Sequence, residues 1–440
     1  MTDNNKKAAY FTLGCKLNFS ETSTIAQKLE ASGFERVNFD EVADIYLINS
    51  CSVTESGDKK SRSMIRRAKR LNPNALVVVT GCYAQLNPSK IAQIEGVGLV
   101  LGMREKYEAE NYIEALSNVG TVQIKVSETK FDKDSKFFSA VSYGDRTRSY
   151  LKIQDGCDYF CSYCTIPFAR GRSRNANIKE IVAQAKSVTS SGIKELVITG
   201  VNIGDFGKST NESLHQLLAA LEKESGAKRI RIGSVEPNLM TDEILELMKE
   251  SEVIAPHFHI PLQSGANEIL KLMKRKYERE VFAERIEKIS SMFDKPFIGV
   301  DIIAGMNGES DKLFEESYEF VRDLPISQIH AFPYSERPNT QALNIEHSVP
   351  INIRKERAAR LIELSDRKLT HFLNENVGTT HKVLFEHQTK ENPSSGLTEN
   401  YIRVDTSFDP KLENQIVEVV IGAVKNNKHC DIRHMVPPSV

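Results

Sequence analysis

Between Asp155 and Cys164 the chain reads Asp-Gly-Cys-Asp-Tyr-Phe-Cys-Ser-Tyr-Cys, which places Cys157, Cys161 and Cys164 in a C-x3-C-x2-C array. Thiolates are the soft ligands of Fe–S clusters, zinc and Cu(I). Structural zinc wants four ligands, commonly from paired C-x2-C knuckles, and no fourth Cys or His lies near this triple. A cubane cluster held by three thiolates keeps one iron open to a substrate. The plainer readings are an incomplete zinc site or cysteines with no common ligand, and this spacing disfavours both.

The elements that must position this loop follow from periodicity. Upstream, buried strands are expected at 8–13, 45–48 and 76–80, with helices at about 20–32 and 57–71 between them. Strands alternating with helices predict an α/β layer with a parallel sheet. Ligands of such sheets gather beyond the carboxyl ends of the strands. Cys15, Cys51 and Cys82 each lie just past such an end, so topology brings all three to one rim. Buried structural thiols are the plainer alternative. The placement favours a second open-iron Fe–S site.

Residues 103–147 are polar, with a charged tract at Lys130–Lys136, and are expected to connect two domains. From residue 148 to about 333, six strand–helix units follow, consistent with a partial TIM-type barrel open on one side. Its strand-end loops carry Cys157–Cys164, Thr199-Gly200-Val201, Ser234, Gln263 and Tyr334. A charged helix over about 352–374 leads out of the barrel. The tail alternates in short β-like runs, with turn signals at Asn392–Gly396 and Asp409-Pro410, and predicts a small antiparallel barrel. The fold class is therefore α/β with a C-terminal antiparallel β-barrel, in four segments. These are a parallel-sheet domain over 1–125, a linker over 126–147, a partial (β/α)6 barrel over 148–374 and a β-barrel over 375–440.

The C-x3-C-x-aromatic-C loop, with Tyr163 as the aromatic, resembles the radical S-adenosylmethionine (SAM) superfamily. The resemblance implies that Cys157, Cys161 and Cys164 hold a [4Fe–4S] cluster whose open iron binds SAM and whose electron cleaves it. Thr12-Leu13-Gly14-Cys15-Lys16-Leu17-Asn18, Asn49-Ser50-Cys51-Ser52-Val53-Thr54 and Thr80-Gly81-Cys82 narrow it further. They resemble the N-terminal domain of the radical-SAM methylthiotransferases, which implies a second [4Fe–4S] cluster on Cys15, Cys51 and Cys82 for sulfur delivery. Pro261-Leu262-Gln263-Ser264-Gly265 and the run Phe332–Thr340 are similar to signatures of that family. It makes Tyr163, Thr199, Gly200, Val201, Ser234, Glu236 and Gln263 candidate SAM contacts, and the tail an RNA-binding TRAM-like domain. The Leu-Gly-Cys-Lys form and the segment Val53–Arg62 look most like the branch acting on threonylcarbamoyladenosine in tRNA. Isopentenyladenosine and a ribosomal-protein aspartate are the substrates of the alternative branches.

Net charge is −1, so a nucleic-acid partner must be argued from local patches. Lys59, Arg62, Arg66, Arg67 and Arg70 form one cationic helix after Cys51. Lys274 and Arg275 lie in a second cluster, and Arg170, Arg172 and Arg174 form a third. Solvated helix faces are the ordinary reading of such runs. Their position beside the cysteine loops makes them a candidate phosphate-tracking surface for tRNA. The composition, 40% hydrophobic and 27% charged, is that of a globular protein, and no apolar run approaches the ~20 residues of a membrane span. Clustered, odd-numbered cysteines point to a reducing cytoplasm. The expected partners are tRNA and an electron donor such as a flavodoxin or ferredoxin. No membrane partner is expected, the chain is expected to act as a monomer, and the sulfur donor is left unspecified.

Overall fold

The computed structural model describes residues 6–52, 55–116, 121–129, 131, 136–143, 147–387, 392–426 and 428–437. Val53 and Thr54, and most of the Lys130–Lys136 tract, fall outside the described residues. Six strands form the N-terminal sheet: β1 (Lys7–Thr12), β2 (Glu35–Val37), β3 (Ile45–Ser50), β4 (Leu76–Gly81), β5 (Val97–Leu101) and β6 (Gln123–Lys125). Their order is β2-β1-β3-β4-β5-β6 and every pairing is parallel. The apolar runs of β3 and β4 are continuous because both sheet faces are covered. Tyr46, Ile48, Val77 and Val79 pack under helix α2 (Glu55–Leu71) through Met64 and Ile65. The alternate residues Leu47 and Val78 pack under helix α1 (Lys16–Ala31) through Ile25 and Leu29.

The expectation of a polar connection from 103 needs correction. Glu105–Glu108 forms a 3-10 turn, Ala109–Ala115 a helix, and β6 completes the sheet. Ala109, Ile113 and Leu116 supply the buried stripe of that helix, a signal outweighed in the sequence by the surrounding charges.

Six parallel strands build the second unit: β7 (Arg148–Lys152), β10 (Glu195–Thr199), β11 (Arg229–Ile232), β12 (His257–His259), β13 (Phe297–Ala304) and β14 (Gln328–Pro333). A two-residue ribbon of β8 (Gln154–Asp155) and β9 (Arg174–Asn175) interrupts the series. The ladder β7-β10-β11 meets β12-β13-β14 through single bridges at Ile230–Ile254 and Ser234–His259. Branched side chains on one face of these strands pack against the surrounding helices, and alternate positions such as Lys152 and Asp301 lie on the other face. Strand β7 has no partner in β14. Its outer edge is met by the connecting segment, with Lys152 N–H donating to Ala140 O at 2.9 Å and Val141 bridging Leu151.

The helix Ile351–Glu375 leads into a closed barrel, β15-β16-β17-β19-β18. In chain order these strands are β15 (Thr380–Phe385), β16 (Ser394–Leu397), β17 (Arg403–Thr406), β18 (Ile416–Lys425) and β19 (His429–Met435). Ser394–Gly396, expected as turn, lies in β16. Pairing with β17 satisfies its backbone, and Pro393 stands just before the ladder, where its missing N–H costs nothing. Cys430 is fully buried in this barrel's core. The barrel docks on the second unit through two buried arginines. Arg229 donates to Leu397 O and Lys382 O, Arg231 donates to Thr398 O and Glu399 O, and Glu195 pairs with both. Among the described residues, no helix is long and apolar enough to cross a membrane.

Candidate active site between two cysteine rims

The ribbon β8–β9 forms the base of the Cys157 loop. Gly156 has φ +72°, and a Cβ there would stand 2.0 Å from Arg172 O. Only glycine tolerates both that conformation and that approach. Cys157 N–H then donates to Gly171 O at 3.0 Å, closing the loop's entry. Phe160 turns the chain at φ 50°, and Cys164 N–H donates to Cys161 O at 3.0 Å. Three donors point at sulfur: Tyr159 N–H at Cys157 Sγ (3.4 Å), Ile166 N–H at Cys164 Sγ (3.4 Å) and Arg275 Nη1 at Cys161 Sγ (3.3 Å). Burial pushes the Cys164 thiol up to about 12 and raises that of Cys157. These thiols hold their protons until a metal displaces them, and the N–H donors then stabilise the sulfur charge. No described His or further Cys completes the triple to four ligands, so the donor set fits a cluster with one open iron.

The other triple converges as the parallel sheet requires. Thr12 is level with Asn49, and Asn49 and Ser50 with Thr80 and Gly81, so Cys15, Cys51 and Cys82 leave three adjacent strands at one rim. Gly14, at φ +96°, keeps this rim open, since a Cβ there would lie 3.0 Å from Cys51 Sγ. Asn18 ties the loops together, its Nδ2 donating to Leu13 O (2.8 Å) and Ser50 O (3.3 Å). Cys15 starts α1 as its N-cap, and Cys82 opens a short helix, α3 (Cys82–Leu86). Cys15 and Cys82 lie within electrostatic reach of one another. This second soft triple also fits a three-thiolate cluster.

The two rims face each other. Cys82 packs with Met103 against Ala169, five residues past Cys164, and Ser52 Oγ lies 3.4 Å from Thr165 Oγ1. A buried ion network locks the seam. Glu21, from α1, accepts from Lys106 (2.6 Å), Lys152 (3.1 Å) and both Arg170 nitrogens (2.9 and 3.0 Å). Asp155 pairs with Lys152 (2.7 Å), Arg170 (2.9 Å) and Arg174 (3.1 Å). Burial alone would raise both carboxyls. Arg170, Lys106 and Lys152 more than offset this at Glu21, and Lys152, Arg174 and Arg170 do so at Asp155, so both lie well below the usual carboxylate range.

Arg170 and Arg174, expected on a phosphate-binding surface, are therefore internal ion-pair partners. Arg275 needs the same correction. Its side chain is 3% exposed, paired with Glu236 and bonded to Tyr277 Oη and Cys161 Sγ. Lys274, with φ 59°, turns its own side chain outward and Arg275 inward. Lys59, Arg66, Arg67 and Arg70 do lie on the exposed face of α2. Arg62 is half-buried, 3.5 Å from Tyr83 Oη, and Arg67 pairs with Asp40.

A cavity of about 220 Å³ opens beside Cys164, lined by Tyr163, Gln263, Asp301, Phe332, Tyr334 and Arg337 among others. Of the candidate SAM contacts, Tyr163 and Gln263 line it. Thr199 ends β10, and Gly200 and Val201 begin the turn after it. This turn is anchored to the cysteine loop by Gln154, which accepts from Val201 N–H (3.0 Å) and Asn202 N–H (2.8 Å) and donates to Gly156 O (2.7 Å). Ser234 instead bonds His259, and Glu236 is taken up by Arg275. Glu21 and Gln154 went unnoticed in the sequence, where they carry no local signal.

Residues 7–102 match a family described as Uncharacterized protein family UPF0004, and residues 151–321 match the Radical SAM superfamily. The chain is 38% identical over 419 residues to the threonylcarbamoyladenosine tRNA methylthiotransferase MtaB of Bacillus subtilis, covering 94% of this chain and 93% of that one. The protein of the same name from Aquifex aeolicus is 40% identical over 90% of this chain and 96% of its own. The radical SAM methyltransferase TsrM from Kitasatospora setae, solved with cobalamin and a [4Fe–4S] cluster, superposes with a TM-score of 0.54. It covers 75% of this chain and 76% of its own at 15% identity, a likeness of fold. Two facing cysteine triples, a partial barrel and relatives matched over nearly their whole length, among them tRNA methylthiotransferases, lead to a single assignment: this chain belongs to the radical-SAM methylthiotransferase family.

Proposed function

We propose that the chain inserts a methylthio group at C2 of N6-threonylcarbamoyladenosine beside the anticodon of tRNA. The carrying observation is the meeting of two three-cysteine rims across one seam, in a chain 38% and 40% identical to two proteins that bear that activity's name. An aromatic C2–H is neither acidic nor readily displaced, so no acid–base pair in this chain could exchange it for sulfur. Two [4Fe–4S] clusters and SAM would supply the radical and the methylthio group, chemistry that belongs to the cofactors.

The chain's own residues hold and orient. Cys157, Cys161 and Cys164 are the ligands for one cluster and Cys15, Cys51 and Cys82 for the other. Arg275 steadies Cys161, Gln154 fixes the Thr199–Val201 turn over the loop, and the Glu21 network sets the distance between the rims. Phe332 and Tyr334 give the cavity an aromatic wall. The base must reach this cavity unstacked, as in other base-modifying enzymes. We place the reaction in the cytoplasm, with a flavodoxin or ferredoxin as electron donor.

Helix α2, directly after Cys51, together with Lys274, is the proposed tRNA phosphate contact. Arg66→Glu, Arg67→Glu and Arg70→Glu together should weaken tRNA binding. The log–log salt dependence should flatten by about one unit per lost phosphate contact, with iron content unchanged. An unaltered slope makes α2 an ordinary solvated face. The activity itself is tested by nucleoside mass spectrometry of mixed tRNA carrying threonylcarbamoyladenosine or isopentenyladenosine, incubated with reconstituted enzyme, SAM and reductant. A methylthio adduct on that nucleoside is expected. An adduct only on isopentenyladenosine would refute the substrate.

A further inference from the structure

We infer that His259, Asp301 and His330 form a third metal site, for a borderline divalent ion such as zinc or ferrous iron, at the floor of the cavity. Asp301 and His330 are direct neighbours across β13 and β14, and His259, from β12, is level with Gly299. Gly299 leaves room for that imidazole, since a Cβ there would come within 3.3 Å of its Cδ2. Asp301 and Ile303 share a strand face and both line the cavity, so the triad forms the layer below.

Three donor atoms converge. His259 Nε2 lies 3.1 Å from His330 Nδ1 and 3.2 Å from Asp301 Oδ1, and His330 Nδ1 lies 3.3 Å from the same oxygen. At zinc–nitrogen bonds of about 2.0–2.1 Å, ligand atoms stand roughly 2.9 Å apart at right angles and about 3.3 Å apart at the tetrahedral angle. All three separations fall in that interval.

Protons satisfy this triangle poorly. A protonated ring nitrogen donates and has no lone pair with which to accept, while an unprotonated one only accepts. With Asp301 ionised, two protonated nitrogens face each other as donors. With one proton removed, the bare nitrogen faces the carboxylate as a second acceptor. Every such arrangement leaves one edge repulsive, whereas a cation at the centre takes a lone pair from all three. His259 Nδ1 lies 2.5 Å from Ser234 Oγ, the supporting bond that ligating histidines commonly make. Two imidazoles and one carboxylate suit zinc or ferrous iron. The side chains are 17%, 25% and 38% exposed, so the site keeps open positions. An oxygen donor in the cavity, carboxylate or hydroxyl, would complete the shell.

The test uses the cluster-reconstituted full chain, washed with chelator and dialysed against zinc. Metal content is read by plasma mass spectrometry and the ligands by zinc X-ray absorption. About one zinc per chain is expected, with nitrogen and oxygen at about 2.0–2.1 Å. His330→Gln and Asp301→Asn should lose it while iron and sulfide stay constant. Ser234→Ala should weaken zinc binding by about 10–100-fold. Wild-type enzyme that takes up no stoichiometric zinc overturns the site. So does zinc found only on sulfur at about 2.3 Å, or zinc retained by both ligand variants.

Discussion

Replacing Cys157, Cys161 and Cys164 with Ala is expected to halve the iron of the reconstituted protein, from about eight to about four per chain, and to abolish 5′-deoxyadenosine formation. The loop has no substitute ligand among the described residues, because the other described cysteines belong to the opposite rim or, like Cys430, to the core of the C-terminal barrel. The fold should survive. The loop is held by backbone bonds, Cys157 N–H to Gly171 O and Ser162 N–H to Met273 O, which alanine preserves. Iron and sulfide analysis with chromatography of the cleavage products decides the matter. A triple variant retaining its full iron would show that these thiols are not ligands.

The second large effect is on stability. Glu21→Gln should destabilise the seam by about 3–5 kcal/mol, the usual consequence of breaking a buried ion pair and leaving charge uncompensated. Glu21 is fully buried, and Lys106, Lys152 and Arg170 all point at its carboxylate. An amide cannot neutralise them, and its NH2 adds donors where only acceptors are wanted. The unfolding midpoint in urea should fall, with protection of α1 amides lost first. The pH dependence follows from the depressed carboxyl. Its contribution is complete above the unfolded value of 4.5 and is lost as pH falls toward the lower folded value. The variant should therefore show a flatter acid limb. Equal midpoints in the two proteins would mean that the network adds nothing to the seam.

Much of the candidate site was legible because clustered cysteines leave spacing and topology in a sequence. The C-x3-C-x2-C array is local, and the N-terminal cysteines follow from where parallel strands must end. Residues that act by charge pairing across long separations were not legible. Glu21 reads as one more polar residue of an amphipathic helix, yet its partner Arg170 lies 149 residues away. Arg275 sits in a run, Lys274-Arg275-Lys276, that resembles any solvated patch. In the folded chain it follows Lys274 at positive φ and bonds Cys161, Glu236 and Tyr277, none of which the sequence advertises. The triad His259, Asp301 and His330 comes from three separate strands and becomes a cluster only when the barrel forms. Strand β16 was hidden for a different reason: Pro, Ser and Gly mark turns by propensity, and barrel closure overrides that propensity.

The central claim is that sulfur delivery and radical generation occupy opposite rims of one seam. It is tested most directly by the Cys15→Ala, Cys51→Ala, Cys82→Ala enzyme, assayed with saturating tRNA for both SAM cleavage and nucleoside products. Because Cys157, Cys161, Cys164 and the Gln154-anchored turn belong to the other unit, the variant should still form 5′-deoxyadenosine and methionine. It should yield no methylthiolated base. A folded variant that makes the methylthio nucleoside at saturating tRNA would contradict the account, since its N-terminal thiols would then be packing residues alone.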